Sequence, residues 1–138
     1  MPVAAKTRFQ QAVFTLAAVA FVAHLVDTVL ADTVPLTLEL DAALVSGGVA
    51  LAIAGLYSRI APLPRAGFAV LLGAPWLYGC LHYHVIPSLE RGPAATDFSG
   101  MVAGVASVAL LAMGVPPLVQ AMWQSARPHG GPELPGHP

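Results

Sequence analysis

The chain consists of long apolar runs separated by short polar stretches that contain proline. Each run is continuous and does not alternate between apolar and polar residues, which favours helices over the strands of a membrane barrel. A helix needs about 20 mostly apolar residues to cross the hydrocarbon core of a bilayer. Four segments meet this length, at about 9–30, 38–57, 66–86 and 98–123. The sequence therefore predicts an all-α integral membrane protein, a bundle of four transmembrane helices over residues 1–123.

The segments between and after these runs are rich in proline and glycine. The three connections read DTVPLT, SRIAPLPR and PSLERGPAATD. Proline ends helices because it lacks the backbone N–H and its ring clashes with the preceding turn. Residues 124–138, at the C-terminus, have little apolar surface to bury, which predicts a disordered Pro/Gly-rich tail.

Composition supports a membrane protein and excludes some functions. Hydrophobic residues make up 57% of the chain and charged residues 9%, against about 25% charged residues in a soluble domain. The net charge of −1 provides no basic surface for nucleic acid, so we expect no nucleic-acid partner. A single cysteine, Cys80, excludes an internal disulfide.

The basic residues predict the orientation of the bundle. Five of them fall on one side of the predicted membrane and one, Arg91, on the other. The five are Lys6, Arg8, Arg59, Arg65 and Arg127. Because loops rich in Lys and Arg stay in the cytoplasm, we expect cytoplasmic N- and C-termini. Arg outnumbers Lys five to one, and Ala, Gly and Pro are abundant, which is typical of a GC-rich bacterial genome, so we expect a bacterial inner (plasma) membrane. In an alternative interpretation the first span is a cleaved signal peptide, with a cleavage site at residues 29–31.

Nearly all acids and histidines gather at the predicted outer end. The first span contains His24 and Asp27, which share a helix face, and the third ends with His82 and His84. The remaining outer acids are Asp32, Glu39, Asp41, Glu90 and Asp97; Glu133, His129 and His137 lie in the tail. Ionisable groups inside a membrane span are costly, which makes this cluster a functional hypothesis.

The predicted metal ligands are His24, Asp27, His82 and His84. Imidazole binds several transition metals, and two histidines from different helices could also bind a haem iron. A histidine with an aspartate could instead relay protons. His82 and His84 point in directions about 200° apart on a regular helix, so only one of them faces the bundle centre.

Several of these residues also have purely structural interpretations. Asp41 and Asp97 are predicted to cap the starts of their helices, and Cys80 to be a small packing residue. The second and third histidines could be interfacial residues, and His24 with Asp27 a hydrogen-bonded pair between helices. The spacing Gly100-x-x-x-Gly104, continued by Ser107, predicts close helix packing.

Three functions follow from this pattern. The first is a membrane protein that binds a transition metal or haem, or relays protons, in its outer leaflet. The second is a non-catalytic accessory or assembly subunit of a larger membrane complex, whose partners are the lipid bilayer and other membrane subunits or a second copy. The third is an enzyme acting on a lipid-soluble substrate through Asp27 and His24, which is the least favoured because no nucleophile is evident.

Overall fold

The computed structural model describes residues 3–30, 38–94 and 97–126, and the surroundings of side chains at 5–30, 43–94 and 97–126. Every regular element in these ranges is helical. The α-helices are α1 (Val3–Leu30), α2 (Leu38–Gly55), α3 (Pro62–Gly79), α4 (Ile86–Arg91) and α5 (Asp97–Ala126). A 3₁₀ turn at Tyr57–Arg59 precedes α3, and a π-helical segment at Cys80–Val85 joins α3 to α4. The predicted all-helical fold is confirmed for the described part of the chain.

Three helices are long and apolar enough to cross a membrane. They are Ala5–Leu30, Pro62–Arg91 and Asp97–Ala126, the second of which runs through α3, the π segment and α4. The apolar stretch described in α2, Ala43–Gly55, is shorter. Large apolar side chains remain exposed around the bundle, as lipid-facing residues do, and Leu16 and Leu71 are examples.

The helix Pro62–Arg91 is longer at both ends than the predicted span 66–86. It begins at Pro62, because proline is tolerated in the first turn, where its missing N–H has no partner to lose. It also continues past Pro87, which as an interior proline removes a hydrogen bond and crowds the carbonyl four residues earlier. The preceding π segment accommodates this proline, since the N–H of Ile86 bonds to the oxygen of Leu81, five residues back. The helix ends at Gly92, whose φ of 84° favours glycine.

The core lies where α1 meets the other long helices. Phe14 and Phe21 of α1 are almost completely buried, and Phe21 stacks on Trp76 of α3 with ring centres 4.2 Å apart. Leu110 of α5 and Ala50 of α2 complete this layer. The helix that could have been a signal peptide therefore supplies the largest buried side chains of the core.

Helices α3 and α5 approach each other through glycines. A Cβ atom added at Gly114 would lie 2.6 Å from the backbone oxygen of Ala66, and one at Gly73 would lie 2.9 Å from that of Ser107. At Gly104 an added Cβ would lie 2.3 Å from the sulfur of Cys80. The predicted small-residue stripe of α5 thus faces α3 at Ser107 and the π segment at Gly100 and Gly104, and only hydrogen atoms fit between the helices at the glycines.

Candidate site around a histidine pair

Two histidines from different membrane helices meet near the end of the bundle where α1 ends and α5 begins. The ring centres of His24, in α1, and His84, in the π segment, are 4.7 Å apart, and the ring planes are nearly perpendicular at 84°. Trp76 packs against His24 with ring centres 6.2 Å apart and ring planes at 77°. His84 lies against Gly100, because an added Cβ at that glycine would be 2.4 Å from a ring carbon. We call His24 and His84 the histidine pair.

A buried carboxylate holds His84 in place. The Nδ1 atom of His84 lies 3.1 Å from Oδ1 of Asp97, a residue of α5 that is only 1% exposed. The other carboxylate oxygen accepts hydrogen bonds from the Ser88 hydroxyl, at 2.6 Å, and from the backbone N–H of Ala94, at 2.5 Å. An ionised carboxylate only accepts hydrogen bonds, so Nδ1 of His84 carries the proton and Nε2 keeps its lone pair when the ring is neutral.

A serine links His24 to a second carboxylate. Nδ1 of His24 lies 2.9 Å from the hydroxyl oxygen of Ser99, and this hydroxyl donates to Oδ2 of Asp27. Because the hydroxyl proton is directed at Asp27, the serine oxygen accepts from the N–H of His24. The hydrogen bonds therefore assign the same tautomer to both histidines, with the proton on Nδ1 and a lone pair on Nε2. Within the described residues, neither Nε2 atom has a hydrogen-bond partner.

The histidine pair lines a cavity of about 640 Å³ that opens between the helices. Residues of α1, α2, α3 and α5 and of the π segment contribute to its wall. Apart from the histidine pair, the polar residues on this wall include Thr28, Ser46, Trp76, Tyr83 and Arg91. Much of the remaining lining is small and apolar, so the imidazoles provide a polar end to a largely apolar space.

The structure brings three of the four predicted metal ligands into one network. His24 and His84 are in contact, while Asp27 reaches His24 through Ser99. His82 lies apart, exposed and stacked on Tyr78 with ring centres 5.6 Å apart. In the ranges that the structure describes, no three His, Cys, Asp or Glu side chains are grouped so that they could hold one metal ion.

Of the acids and histidines not yet mentioned, Glu90 alone has a described side chain. Glu90 is exposed on α4. The other predicted positions lie outside the residues whose side chains are described: Asp32, Glu39, Asp41, His129, Glu133 and His137.

The π segment and the packing of α5 determine which of His82 and His84 faces the centre of the bundle. His84 and Cys80 are four residues apart, and they contact Gly100 and Gly104 of α5, which are also four residues apart. Only at these glycines can α5 come close enough to cover the imidazole and the thiol. His82 consequently points away from α5.

Sequence reasoning missed three residues of the network. Asp97 was interpreted as a helix cap, and Ser88 and Ser99 were given no role. A usable signal was present for one contact, because Ser88 and Asp97 lie on either side of a short connection between helices, where residues of antiparallel neighbours meet. Ser99 lies two residues after Asp97 and gives no comparable signal, since a serine inside a span often bonds only to its own helix.

A small cation suits this geometry better than a haem. Two imidazoles on opposite faces of a haem iron, each about 2 Å from the metal, would have ring centres roughly 6 Å apart. The histidine pair is closer than that, at 4.7 Å. Its two Nε2 lone pairs could bind one metal ion or share one proton.

The chain matches no protein-family model, no curated protein and no solved structure. The histidine pair, the two carboxylates behind it and the cavity beside it are therefore the basis for assigning a function.

Proposed function

We propose that this protein is a four-span inner-membrane protein with both termini in the cytoplasm, and that its outer half binds a transition-metal ion at the histidine pair. The observation that carries the proposal is the pair of hydrogen-bond relays. Each Nδ1 atom is tied to a carboxylate, directly through Asp97 or by way of Ser99, which leaves each Nε2 lone pair for a ligand. Metal-binding histidines almost always have this kind of support from a carboxylate, a carbonyl or water, because it fixes the tautomer and raises basicity.

The proposed topology adds α2 to the three long apolar helices as the fourth span. Leu38–Gly55 has 18 residues, near the lower end of the length that crosses a bilayer. With α1 retained as part of the core, the histidine pair lies at the predicted outer end. At the other end the guanidinium of Arg65 lies 4.3 Å from the centre of the Tyr57 ring, at the cytoplasmic interface in this topology.

Two histidines leave coordination positions open. A tetrahedral zinc or copper site needs four ligands, so water or a ligand from the cavity would fill the rest. Because the protein supplies only two of the ligands, the metal ion could exchange, as in a carrier, or could bind a further molecule from the cavity. The same two lone pairs could instead take up a proton from the cavity, while His24 passes its Nδ1 proton through the Ser99 hydroxyl to Asp27. This proton relay is the second candidate function for the site.

Metal binding by purified protein tests the proposal directly. In detergent micelles, the wild-type protein should bind Zn²⁺ or Cu²⁺ with one ion per chain, measured by titration calorimetry and elemental analysis. His24→Ala and His84→Ala should each weaken binding by at least about tenfold, because each removes one of two protein ligands. His82→Ala is the matched control, and it should bind as the wild type does. Equal binding by all four proteins would disprove the metal site.

An accessory role is a further proposal, and one surface favours it. In the described part of α2, Gly48 and Gly55 have no neighbouring atom within 4 Å of where a Cβ would be, and Ala52 between them is exposed. Small residues at this spacing allow a second helix to approach closely in lipid. A partner subunit or another copy of this chain could therefore pack on this face of α2.

A bulky side chain on that face tests the accessory role. Gly48→Leu should abolish co-purification of a partner or self-association in mild detergent, measured by size-exclusion chromatography with light scattering. Gly67→Leu on α3 is the matched control, because Gly67 also has no atom within 4 Å of an added Cβ. If wild type and both variants are monomeric and free of partners, the accessory role is rejected.

A further inference from the structure

We propose that the cavity beside the histidine pair binds a membrane-soluble quinol or related phenol, whose hydroxyl groups donate hydrogen bonds to Nε2 of His24 and His84. This inference rests on one element of the proposed function, the two Nε2 lone pairs of the histidine pair that face a ligand, and a quinol would occupy them in place of the metal ion. It identifies the class of molecule that would enter from the lipid.

The size of the cavity indicates an organic ligand. Its volume of about 640 Å³ far exceeds the space needed by a metal ion with a few waters. Sites for small organic molecules typically measure roughly 300–1,000 Å³. A space this large would hold on the order of twenty waters at about 30 Å³ each, and an apolar wall gives so many waters few partners.

Small side chains create this space. Ala43 and Ser46 of α2 face it from one side, and Gly100 and Ala103 of α5 from the other. Leu25 contributes to the apolar wall. The helices therefore do not close over the histidines, although Ala103 and neighbouring residues pack tightly in the core. An apolar ligand body is the natural occupant of such a wall, because burying it there removes apolar surface from water or headgroups.

The polar end requires hydrogen-bond donors. When neutral, both imidazoles present acceptor lone pairs at Nε2, because their protons are on Nδ1. A hydroxyl group can donate to such a lone pair, whereas a quinone carbonyl, itself an acceptor, cannot. The histidine end of the cavity should therefore prefer the reduced quinol to the oxidised quinone of the same skeleton, since an unmatched acceptor loses its hydrogen bond to water without replacement. The donors elsewhere on the wall, Tyr83 and Arg91, could meet the far oxygen of either form and so do not favour one of them.

The neighbouring rings favour an aromatic head. Trp76 lines the cavity, stacks on Phe21 at 4.2 Å and lies nearly perpendicular to the His24 ring. Tyr83 contributes a second ring to the lining. Aromatic groups prefer offset-stacked or edge-to-face contacts with other rings, so a flat hydroxylated ring suits this wall better than an aliphatic alcohol does.

Trp76 also provides a way to measure binding. The chain has two tryptophans, and the other, Trp123, is 70% exposed near the far end of α5. In a Trp123→Phe protein, all tryptophan fluorescence comes from Trp76. Chelator-treated Trp123→Phe protein in lipid nanodiscs would be titrated with a decyl-substituted benzoquinol, its dimethyl ether and the corresponding quinone. We expect saturable quenching by the quinol, and at least about tenfold weaker binding of the ether and the quinone, because neither can donate to Nε2.

Two further variants connect the binding to the cavity. His84→Ala should weaken quinol binding towards that of the ether, because it removes one of the two acceptors, while His82→Ala should leave quinol binding unchanged. Ser46→Phe should block the cavity without removing either histidine. Equal affinity for quinol and ether in the Trp123→Phe protein, or quinol binding that survives both His84→Ala and Ser46→Phe, would overturn the inference.

The failure of this inference is distinguishable from failure of the metal site. The quinol titration uses metal-free protein, so a protein that binds no metal can still pass it. Conversely, the Zn²⁺ and Cu²⁺ titrations contain no quinol, and a metal site can exist although the quinol and its ether bind equally.

Discussion

Replacing Gly114 by alanine is expected to lower the free energy of unfolding by about 1–3 kcal/mol, the usual cost of overpacking a well-packed interface. The added Cβ would lie 2.6 Å from the backbone oxygen of Ala66 and 2.9 Å from a methyl carbon of Val70. A side chain can rotate away, but a backbone oxygen within a helix cannot. Helices α3 and α5 would therefore have to move apart along this part of their contact.

The stability of this variant can be measured by unfolding in mixed micelles with increasing dodecyl sulfate, followed by circular dichroism. Gly67→Ala is the matched control, because it lies on α3 with no atom within 4 Å of the new Cβ. Without a clash, this control should be neutral or more stable by roughly 0.5–1 kcal/mol, the usual helix preference for alanine over glycine. If Gly114→Ala is as stable as Gly67→Ala, the close approach of α3 and α5 is wrong.

Replacing Asp97 by alanine should have the largest effect on the site among substitutions that leave both histidines intact. Asp97 accepts hydrogen bonds from His84, from Ser88 and from the backbone N–H of Ala94. Without the carboxylate, the imidazole loses its orientation and its fixed tautomer. We expect metal affinity to fall about 10–100-fold, the range found when outer-shell partners of metal-bound histidines are removed.

Two comparisons separate positioning of His84 from general damage to the fold. Asp97→Asn keeps the shape of the side chain but replaces one acceptor oxygen by a donor, so it should also weaken metal binding while its helix content stays near that of the wild type. Glu90→Ala removes an exposed acid from the same region and should change neither property. Wild-type metal affinity in Asp97→Asn and in Asp97→Ala would contradict the assigned role of Asp97.

The long apolar helices were predictable because long apolar runs have few alternatives in a chain with so little charge. The ends of the helix Pro62–Arg91 were not predictable, since proline is both a helix breaker and a good first-turn residue. Pro62 begins that helix, while Pro87 lies inside it behind a π segment. A sequence pattern records the proline but not the hydrogen bonds that rearrange around it.

The candidate site was predictable in part for a similar reason. Helical spacing placed His24 and Asp27 on one face, and the structure links them through Ser99. Choosing between His82 and His84 required the packing of α5, because Gly100 is what admits an imidazole ring. Periodicity within one helix carries no information about the rotation of its neighbour, so contacts between helices could not be derived from it.

The π segment divides the helix Pro62–Arg91 into two parts, α3 and α4, and its wide turn sets the rotation of α4 about the helix axis relative to α3. A wide turn carries one more residue than an α-helical turn, so losing it would rotate everything beyond by about 100° relative to α3. Such a rotation would swing Ser88 and Arg91 around the helix axis while Gly73 kept its contact with α5. The extra residue of this one turn therefore determines which side chains surround the opening of the cavity, while the packing of α3 against α5 stays the same.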